Sequence, residues 1–549
     1  MTDSTEHYDV IVIGSGAGGG TVTYALAPTG KRVLLLERGD WMPREPENWD
    51  SKAVWIDKRY SNSGTWTDAA TGKAFTPKQH YYVGGNTKVY GAILFRFRER
   101  DFEEIQHVDG VSPAWPISYS DLAPWYDRAE KLYQVHGERA TDPTEPPAST
   151  PYPFPAISHE PRIQQLSSDL AGAGLHPFPL PNGILLDESA PWRSACIRCA
   201  TCDGYPCPTN GKADAAVIAV EPSLRYPNVT LRTNSLVTRL ETDPQGTLVT
   251  QVAVEQDGVE KRYSADVIVV AGGAINSAAL LLRSRSEQHP GGLGNGSGQV
   301  GRNLMLHNNS SLIAFSNTPN PTKFQKTLGI NDFYFGDPDS DWPFPLGAMQ
   351  MLGKSDATLI GFDVKEADDP AEVARHALDF WLTTEDLPLP ENRVTVDDEG
   401  AISLRYTPTN LEAHQRLRAR FESLLSTMQC RDDVYENLSY VGGRLGLSGV
   451  AHQNGTIRFG TDPATSALDL DCKLHEVDNV YVADSSFFVS SSAVNPTLTI
   501  IANALRVAEA IATRLGTSTL GEPTVRPHVP AQLQGSRSRA GAHGDGVRG

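Results

Sequence analysis

A histidine near the carboxyl end and a glycine-rich segment near the amino end carry the residue types best suited to chemistry. His452 lies just ahead of a Gly-Thr turn in HQNGTIRFG (452–460). A histidine titrates near neutral pH, so one placed within hydrogen-bond reach of a hydroxyl can take its proton. A histidine that only packs against the turn is the alternative. The elements that position it must decide between these roles.

The segment YDVIVIGSGAGGG (8–20) predicts a dinucleotide-binding turn. Its strand is apolar throughout, as expected of a parallel strand covered on both faces. Gly14, Gly16 and Gly19 follow at GxGxxG spacing: the first permits a tight turn, the second lets the backbone approach a pyrophosphate, and the third lets the helix pack closely. Glu37 ends the next apolar strand, where a carboxylate suits a ribose hydroxyl and disfavours NADP.

Two further segments favour FAD over NAD as the dinucleotide. The glycine motif begins at residue 14, and its closing acid is followed by Arg38 and a glycine, a combination typical of tightly held FAD. HYYVGGNTKVYGA (80–92) supplies a second glycine pair and small polar residues able to contact a diphosphate. SADVIVVAGGAINSAALLLRS (264–284) predicts a buried strand, a Gly-Gly turn and a helix.

Composition limits the kinds of protein this can be. A chain of 549 residues is too long for one simple core, so at least two domains are expected. The net charge of −18 argues against nucleic acid or a membrane surface as a partner and favours a small neutral or cationic ligand. The polar, acidic start does not resemble a signal peptide, and the most apolar run is interrupted by glycines, so a cytoplasmic protein is expected. The oligomeric state does not follow from the sequence.

Taken in order, these segments resemble the glucose-methanol-choline (GMC) oxidoreductase family. The resemblance also includes WPISYSDLAPWYDRAEKLY (115–133), VGRNLMLH (300–307) and VYVADSSFFVSSSAVNPTLTIIANALRVAE (480–509). It implies an α/β fold, α+β overall, with a Rossmann-like FAD-binding domain and a second, sheet-based substrate-binding domain. The implied FAD-binding domain comprises residues 1–104, 194–312 and 441–517, and the implied substrate-binding domain residues 105–193 and 313–440. Residues 518–549 lack apolar periodicity and are expected to form a disordered tail.

The resemblance also implies a mechanism in which an alcohol loses a proton to a base and a hydride to flavin N5. The family's base is the histidine of an H-x-x-G-T motif, here His452. Its second catalytic position is a histidine or asparagine before Pro-Thr, here Asn495. An asparagine followed by proline and an apolar-periodic stretch can instead cap a helix, so the role of Asn495 has two interpretations.

The FAD is expected to be held non-covalently. Some sugar-oxidising members carry a histidine linked to FAD after the Val-Gly-Gly of this segment, and Val89 stands at that position here. The predicted cofactor-binding residues come from five segments of the chain. They are Gly14, Gly16, Ala17, Gly19, Glu37, Arg38, Gly85, Asn86, Thr87, Val89, Val237, Ala271, Gly272, Asp484, Asn495 and Thr497. For the glycine-rich turn that begins at Gly14, the alternative is a turn that binds no dinucleotide.

Within the family, the chain resembles bacterial pyranose oxidase-like enzymes, including glycoside 3-oxidases. This implies oxidation of a secondary ring hydroxyl of a pyranose or glycoside to a ketone, with oxygen (giving hydrogen peroxide) or a quinone as acceptor. In FGDPDSDWPFPLGAMQMLGK (335–354), Gln350 and Lys354 are candidate sugar contacts, with solvated loop residues as the alternative. A GMC enzyme for another alcohol and a flavin-bearing lyase without net redox chemistry remain alternative functions.

Four of the six cysteines lie close together at Cys196, Cys199, Cys202 and Cys207. Their spacing departs by one residue from a bacterial iron–sulfur loop, and four thiolates could also bind zinc. Reduced thiols or a local disulfide are the alternative, and no metal is predicted.

The segment 392–410 has the pattern of a β-hairpin, and the amphipathic helix expected over 412–429 should pack on its sheet.

Overall fold

The computed structural model describes residues 6–436, 447, 452–517 and 519. The larger sheet is mixed and has seven strands. In sheet order the strands are β11 (Val229–Arg232), β2 (Val33–Leu36), β1 (Glu6–Ile13), β14 (Val259–Val270), β13 (Val249–Gln256) and β12 (Ser235–Thr242), with β22 (Val480–Val482) also on β14. Four of the strand pairings are parallel (β1 with β14, β1 with β2, β2 with β11 and β14 with β22), and β12, β13 and β14 form an antiparallel meander.

The first crossover of this sheet runs from β1 through α1 (Ala17–Leu26) to β2, which confirms the predicted strand, turn, helix and strand. Gly14 adopts φ +97° at the turn, and a Cβ there would lie 2.4 Å from the Ala271 carbonyl oxygen at the end of β14. A Cβ on Gly19 would lie 1.9 Å from the Gly14 carbonyl oxygen. Both glycines therefore allow α1 to begin tightly against the sheet.

A six-stranded antiparallel sheet forms the second layer of the molecule. Its apolar face is covered by α3 (Pro161–Gly172) and α8 (Leu411–Ser423), whose buried side chains share one core with the strands. In sheet order its strands are β21 (Cys430–Glu436), β15 (Asn308–Ser316), β18 (Ala377–Thr384), β17 (Ala348–Met351), β16 (Leu328–Ile330) and β9 (Phe178–Pro179).

The predicted hairpin is present as β19 (Arg393–Val396) and β20 (Ile402–Arg405), but the packing predicted for the helix after it is wrong. The hairpin joins β3 (Trp66–Asp68) and β4 (Ala74–Phe75) in a four-stranded sheet, whereas α8 lies on the six-stranded sheet. The helix also ends earlier than predicted, at Ser423.

The remaining elements are short strands and connecting helices. They are β5 (Ile105–His107), β6 (Gly110–Ser112), β7 (Val135–Gly137), β8 (Phe154–Pro155), β10 (Asn182–Gly183), α2 (Tyr119–Leu132), α4 (Glu221–Ser223), α5 (Ala274–Arg283), α6 (Ala357–Asp363), α7 (Pro370–His376) and α9 (Thr497–Arg514). Among the described residues, no helix is long and apolar enough to cross a membrane. The two-sheet α/β architecture confirms the predicted fold class, and the tail expected over 518–549 lies almost wholly outside the described residues.

Candidate active site

A cleft of about 950 Å³ is lined by both large sheets. Its wall on the mixed sheet is formed by the turns that follow β1, β2 and β14 and by the start of α9. Its other wall is formed by Asn309, Gln350 and Trp381 of the six-stranded sheet. The carboxyl ends of parallel strands, where α/β proteins bind dinucleotides, therefore face a sheet that could hold a second ligand.

The turn after β1 fits a dinucleotide phosphate. Gly16 lines the cleft with φ −68°, and a Cβ added there would meet nothing within 4 Å. The turn thus leaves open the space that a diphosphate needs to reach the start of α1, where backbone N–H groups and the helix dipole favour an anion.

Glu37 lines the cleft and also holds the turn in shape. Its carboxylate accepts hydrogen bonds from the Ser15 N–H at 3.1 Å, the Ser15 hydroxyl at 2.6 Å and the Gly39 N–H at 3.0 Å. The Ser15 hydroxyl in turn accepts one from the N–H of Gly84, at 3.0 Å, at the second glycine pair. Glu37 therefore holds the turn after β1 beside the second glycine pair, in addition to any contact with a ribose.

The cleft brings together fifteen of the sixteen predicted cofactor-binding residues from their separate segments; Gly19 lies outside it and serves the helix packing described above. The residues that line the cleft are Gly14, Gly16, Ala17, Glu37, Arg38, Gly85, Asn86, Thr87, Val89, Val237, Ala271, Gly272, Asp484, Asn495 and Thr497.

Several of these side chains already have protein partners, which fixes how they can act. Asp484 accepts hydrogen bonds from the Gly273 N–H at 2.8 Å, from the Ser277 hydroxyl at 2.5 Å and from both the N–H and hydroxyl of Ser486. Thr87 accepts one from the Ala215 N–H at 3.0 Å. These contacts fix the backbone that forms the wall of the cleft.

His452 lines the same cleft and is held by an ordered turn. Gly455 adopts φ +86°, and its Cβ position would lie 2.5 Å from the carbonyl oxygen of Asn303. Asn454 forms a backbone bridge with Met305 and donates a side-chain hydrogen bond to the His452 carbonyl oxygen at 3.2 Å. The glycine in this motif is thus required by the close approach of the 300–307 segment.

His307, at the end of that segment, contacts His452 directly and was missed in the sequence. The two Nδ1 atoms are 2.9 Å apart, and His307 Nε2 lies 3.1 Å from the Ser491 carbonyl oxygen. Burial, together with the neighbouring His307 ring, lowers the pKa of His452 to about 3. Burial also lowers the pKa of His307. The base was expected to titrate near neutrality; enclosure instead keeps its ring neutral well into the acid range.

Asn495 lines the cleft beside the start of α9, and the interpretation of its side chain as a helix cap is wrong. The helix begins at Thr497, Pro496 occupies the cap position and no side chain caps it. The loop before Asn495 is fixed by hydrogen bonds from the Ser492 N–H to Glu385 at 3.0 Å and from the Ala493 N–H to the Tyr334 hydroxyl at 3.1 Å.

The two predicted sugar contacts differ in position. Gln350 lines the cleft on β17, directly opposite Trp381 of β18. Lys354 does not line it: its ammonium group donates to the Asn320 carbonyl oxygen beyond the end of the strand. The interpretation of Lys354 as a substrate contact therefore needs correction, because the strand ends before Lys354 and the side chain turns into a neighbouring loop.

Asn309 and Trp381 complete a polar and aromatic face that sequence reasoning missed. Trp381 pairs with Ser311, two residues from Asn309, so Asn309, Trp381 and Gln350 project from one face of the sheet. Asn309 is held by Thr383, whose hydroxyl donates to its amide oxygen at 2.9 Å, and it donates to the His307 carbonyl oxygen at 3.2 Å. The available signal was the polar run HNNSS (307–311) at the start of an otherwise apolar strand.

The four clustered cysteines all carry free thiols. Burial, then the neighbouring thiols, raises the pKa of Cys196 to about 12 and that of Cys199 to about 11. Within the described part of the chain, no three His, Cys, Asp or Glu side chains are arranged to hold a metal ion. The loop instead contributes Asp203 and Gly204 to the cleft wall.

Comparison with known proteins agrees with this architecture. Two segments, residues 183–309 and 390–504, match family models described as GMC oxidoreductase. The 6'''-hydroxyparomomycin C oxidase of Streptomyces lividus is 33% identical over 92% of both chains. The chain belongs to the GMC oxidoreductase family. Another relative, the paromamine 6'-oxidase of Streptomyces fradiae, is 31% identical over 93% of this chain and 92% of its own.

Solved structures show the same fold. The crystal structure of pyridoxine 4-oxidase from Mesorbium loti superposes with a TM-score of 0.60, covering 92% of this chain and 99% of that one at 19% identity. Family membership and the cleft together identify the protein as an FAD-binding oxidoreductase that acts on alcohol groups.

Proposed function

We propose that this GMC oxidoreductase oxidises a secondary ring hydroxyl of a pyranose or glycoside to a keto-sugar. The observation that carries the proposal is that three features line one cleft. They are the dinucleotide turn at Gly16, the neutral base His452, and the face of Asn309, Trp381 and Gln350. Asn309 joins the last two features, because its amide N–H donates to the backbone carbonyl of His307, and the ring of His307 contacts His452.

The face on the six-stranded sheet favours a sugar over a simple alcohol. An indole side chain offers an apolar surface to the C–H groups of a pyranose ring, and two primary amides can donate to and accept from its hydroxyl groups. Gln350 and Trp381 lie directly opposite one another across β17 and β18, so one ring could contact both. The names of the two Streptomyces relatives, both oxidases of aminoglycoside-type compounds, also support a sugar-like substrate.

In the proposed reaction, His452 receives the hydroxyl proton on Nε2, since His307 engages its Nδ1. Because burial and the His307 ring lower its pKa, the His452 ring is unprotonated at neutral pH and its Nε2 lone pair is available. Asn495, on the fixed loop at the start of α9, orients the same hydroxyl. FAD, when bound, would supply the acceptor for the hydride that leaves the carbon. Because the hydroxyl oxygen gives its proton to His452, the C–OH group becomes the C=O of a ketone. The positive end of α9 lies at the cleft, where it would favour the negative charge that hydride transfer places on the bound cofactor.

The cofactor is proposed to be held without a covalent bond by the cleft residues named above, with Val89 at the position of the family's linking histidine. Oxygen or a quinone reoxidises it, and the relatives' designation as oxidases favours oxygen. We propose the same division into domains as the sequence indicated, supported by strands β1, β2, β14 and β22, which all belong to the mixed sheet.

An anaerobic substrate panel tests the proposal. Pyranoses, glycosides, aminoglycosides and simple alcohols are mixed with the holoenzyme, and bleaching of the flavin absorbance is recorded. Sugars or glycosides should bleach the flavin, and Gln350→Ala and Trp381→Ala should weaken saturation while leaving FAD content unchanged. Bleaching by simple alcohols alone would contradict a sugar site on this sheet. So would a sugar concentration at half-saturation that is the same in both variants as in the parent enzyme. The product's carbonyl position, read by NMR after borodeuteride reduction, distinguishes a ring ketone from an aldehyde.

A further inference from the structure

The hydrogen bonds around His307 determine which nitrogen of His452 carries a proton in the resting protein. His307 Nε2 lies 3.1 Å from the Ser491 carbonyl oxygen, which can only accept. A neutral His307 must therefore carry its proton on Nε2, and its Nδ1 is left with a lone pair. That lone pair faces His452 Nδ1 at 2.9 Å, so His452 Nδ1 must be the donor.

The same two distances exclude the other neutral tautomer of His307, in which Nδ1 carries the proton. If His307 donated from Nδ1, its Nε2 lone pair would face the lone pairs of the Ser491 carbonyl, unless the ring carried a positive charge. The ring is 1% exposed, and burial lowers its pKa, which disfavours that charge. The bond to the Ser491 carbonyl and the carboxylate of Glu385 act in the opposite direction, but burial is the largest cause and the pKa of His307 is lowered. The neutral chain of donors therefore runs from His452 through His307 to Ser491.

We propose that His307 is a positioning residue that holds His452 in its Nδ1-protonated tautomer, leaving the Nε2 lone pair directed into the cleft. This rests on the proposed role of His452 as the base. Neutral histidine in water interconverts between two tautomers, and the partner of one nitrogen decides which tautomer is present. The hydrogen bond also persists after the alcohol proton arrives on Nε2, because Nδ1 remains a donor to His307 throughout. His307 thus supports both the free base and its protonated form.

Two substitutions separate the tautomer role from simple packing. Asparagine at position 307 places its amide oxygen near the site of the imidazole Nδ1, so His307→Asn keeps an acceptor for His452. Glutamine reaches the site of Nε2, so His307→Gln keeps the donor to Ser491 but loses the acceptor. We expect His307→Gln to slow the limiting rate of anaerobic flavin reduction by roughly 10- to 100-fold, with an unchanged substrate dissociation constant, and His307→Asn to restore most of that rate.

A matched control is available on α8, the helix that covers the same sheet. His414 is half-buried between the hydroxyls of Ser310 and Thr384, at 2.8 and 3.0 Å, and does not line the cleft. His414→Gln should lower the unfolding temperature but leave the reduction rate within about twofold, because most effects of a distant packing change fall on stability. Equal rates for the Asn and Gln variants of His307, or a faster Gln variant, would overturn the proposal.

A spectroscopic measurement tests the tautomer without any substrate. In holoenzyme labelled with ¹⁵N-histidine, a long-range ¹H–¹⁵N spectrum distinguishes a protonated Nδ1 from a protonated Nε2, and His452→Gln identifies the signal of His452. We expect an Nδ1-protonated ring that loses this pattern in His307→Gln. An Nε2-protonated His452 in the parent protein refutes the proposal whatever the substrate is. Failure of every sugar to bleach the flavin, by contrast, counts against the proposed function alone.

Discussion

Replacing Gly16 by alanine should affect FAD binding without affecting folding. Gly14 of the same motif is the comparison, because alanine there should affect folding itself. At Gly16 a methyl group would project into the open cleft with no heavy atom within 4 Å, and φ is −68°, so no strain is expected. At Gly14, φ is +97° and the methyl group would lie 2.4 Å from the Ala271 carbonyl oxygen.

The expected magnitudes follow from these surroundings. In the apoprotein, Gly16→Ala gains about 0.4–1 kcal/mol from the less flexible unfolded chain. It loses a similar amount because alanine is a poorer residue than glycine at the start of a helix. The free energy of unfolding should therefore change by less than about 1 kcal/mol. A methyl group in the space of the diphosphate should cost about 1–3 kcal/mol of binding, or about 5- to 150-fold in the Kd for FAD.

Thermal unfolding of both apoproteins and titration with FAD, followed by flavin fluorescence, provide the assay. Gly16→Ala should unfold near the parental temperature but bind FAD weakly. Gly14→Ala should lose stability even without FAD, since a left-handed non-glycine residue costs about 1–3 kcal/mol before the clash is counted. A Gly16→Ala protein that binds FAD as tightly as the parent would refute the placement of the diphosphate at this turn.

Three further outcomes are expected. Acid or heat precipitation should release all FAD into the supernatant, because Val89 cannot form the family's histidine link; flavin that stays with the precipitate would contradict this. Lys354→Met should leave the substrate KM unchanged and lower the unfolding temperature, since its ammonium group bonds a loop carbonyl, whereas Gln350→Ala should raise KM; the reverse result would return Lys354 to the substrate site. The limiting rate of flavin reduction should stay flat from pH 8 to pH 5.5, because the lowered pKa keeps His452 neutral. A base with an ordinary pKa near 6.5 would retain only about a tenth of its rate at pH 5.5.

Local sequence patterns correctly predicted those strands, turns and helices whose form is determined by residues close by in the chain. The apolar run before Gly14 and the spacing of three glycines determined the first strand, turn and helix, because sterics at the turn leave few alternatives. The hairpin of β19 and β20 follows from alternation around a polar turn. The position of His452 beside a dinucleotide cleft came from the family resemblance together with these motifs.

Contacts between distant segments were beyond such reasoning. His307 meets His452 across 145 residues of chain, and nothing near either residue indicates which histidine its partner is. The apolar face of α8 shows that the helix packs on a sheet but not on which one, since both candidate sheets offer apolar residues. Asn495 has the sequence environment of a helix cap, yet Pro496 takes the cap position, leaving the amide at the cleft.

Anaerobic stopped-flow reduction of a His452→Ala holoenzyme tests the central claim most directly. A sugar or glycoside that reduces the parent is mixed with parent and variant, after FAD content and unfolding temperature have been matched. If His452 takes the hydroxyl proton, the variant should keep its FAD and its fold, and its limiting rate should fall by roughly two to four orders of magnitude. A variant that reduces its flavin within about threefold of the parental rate, below the usual worth of a general base, would show that this histidine only packs a turn.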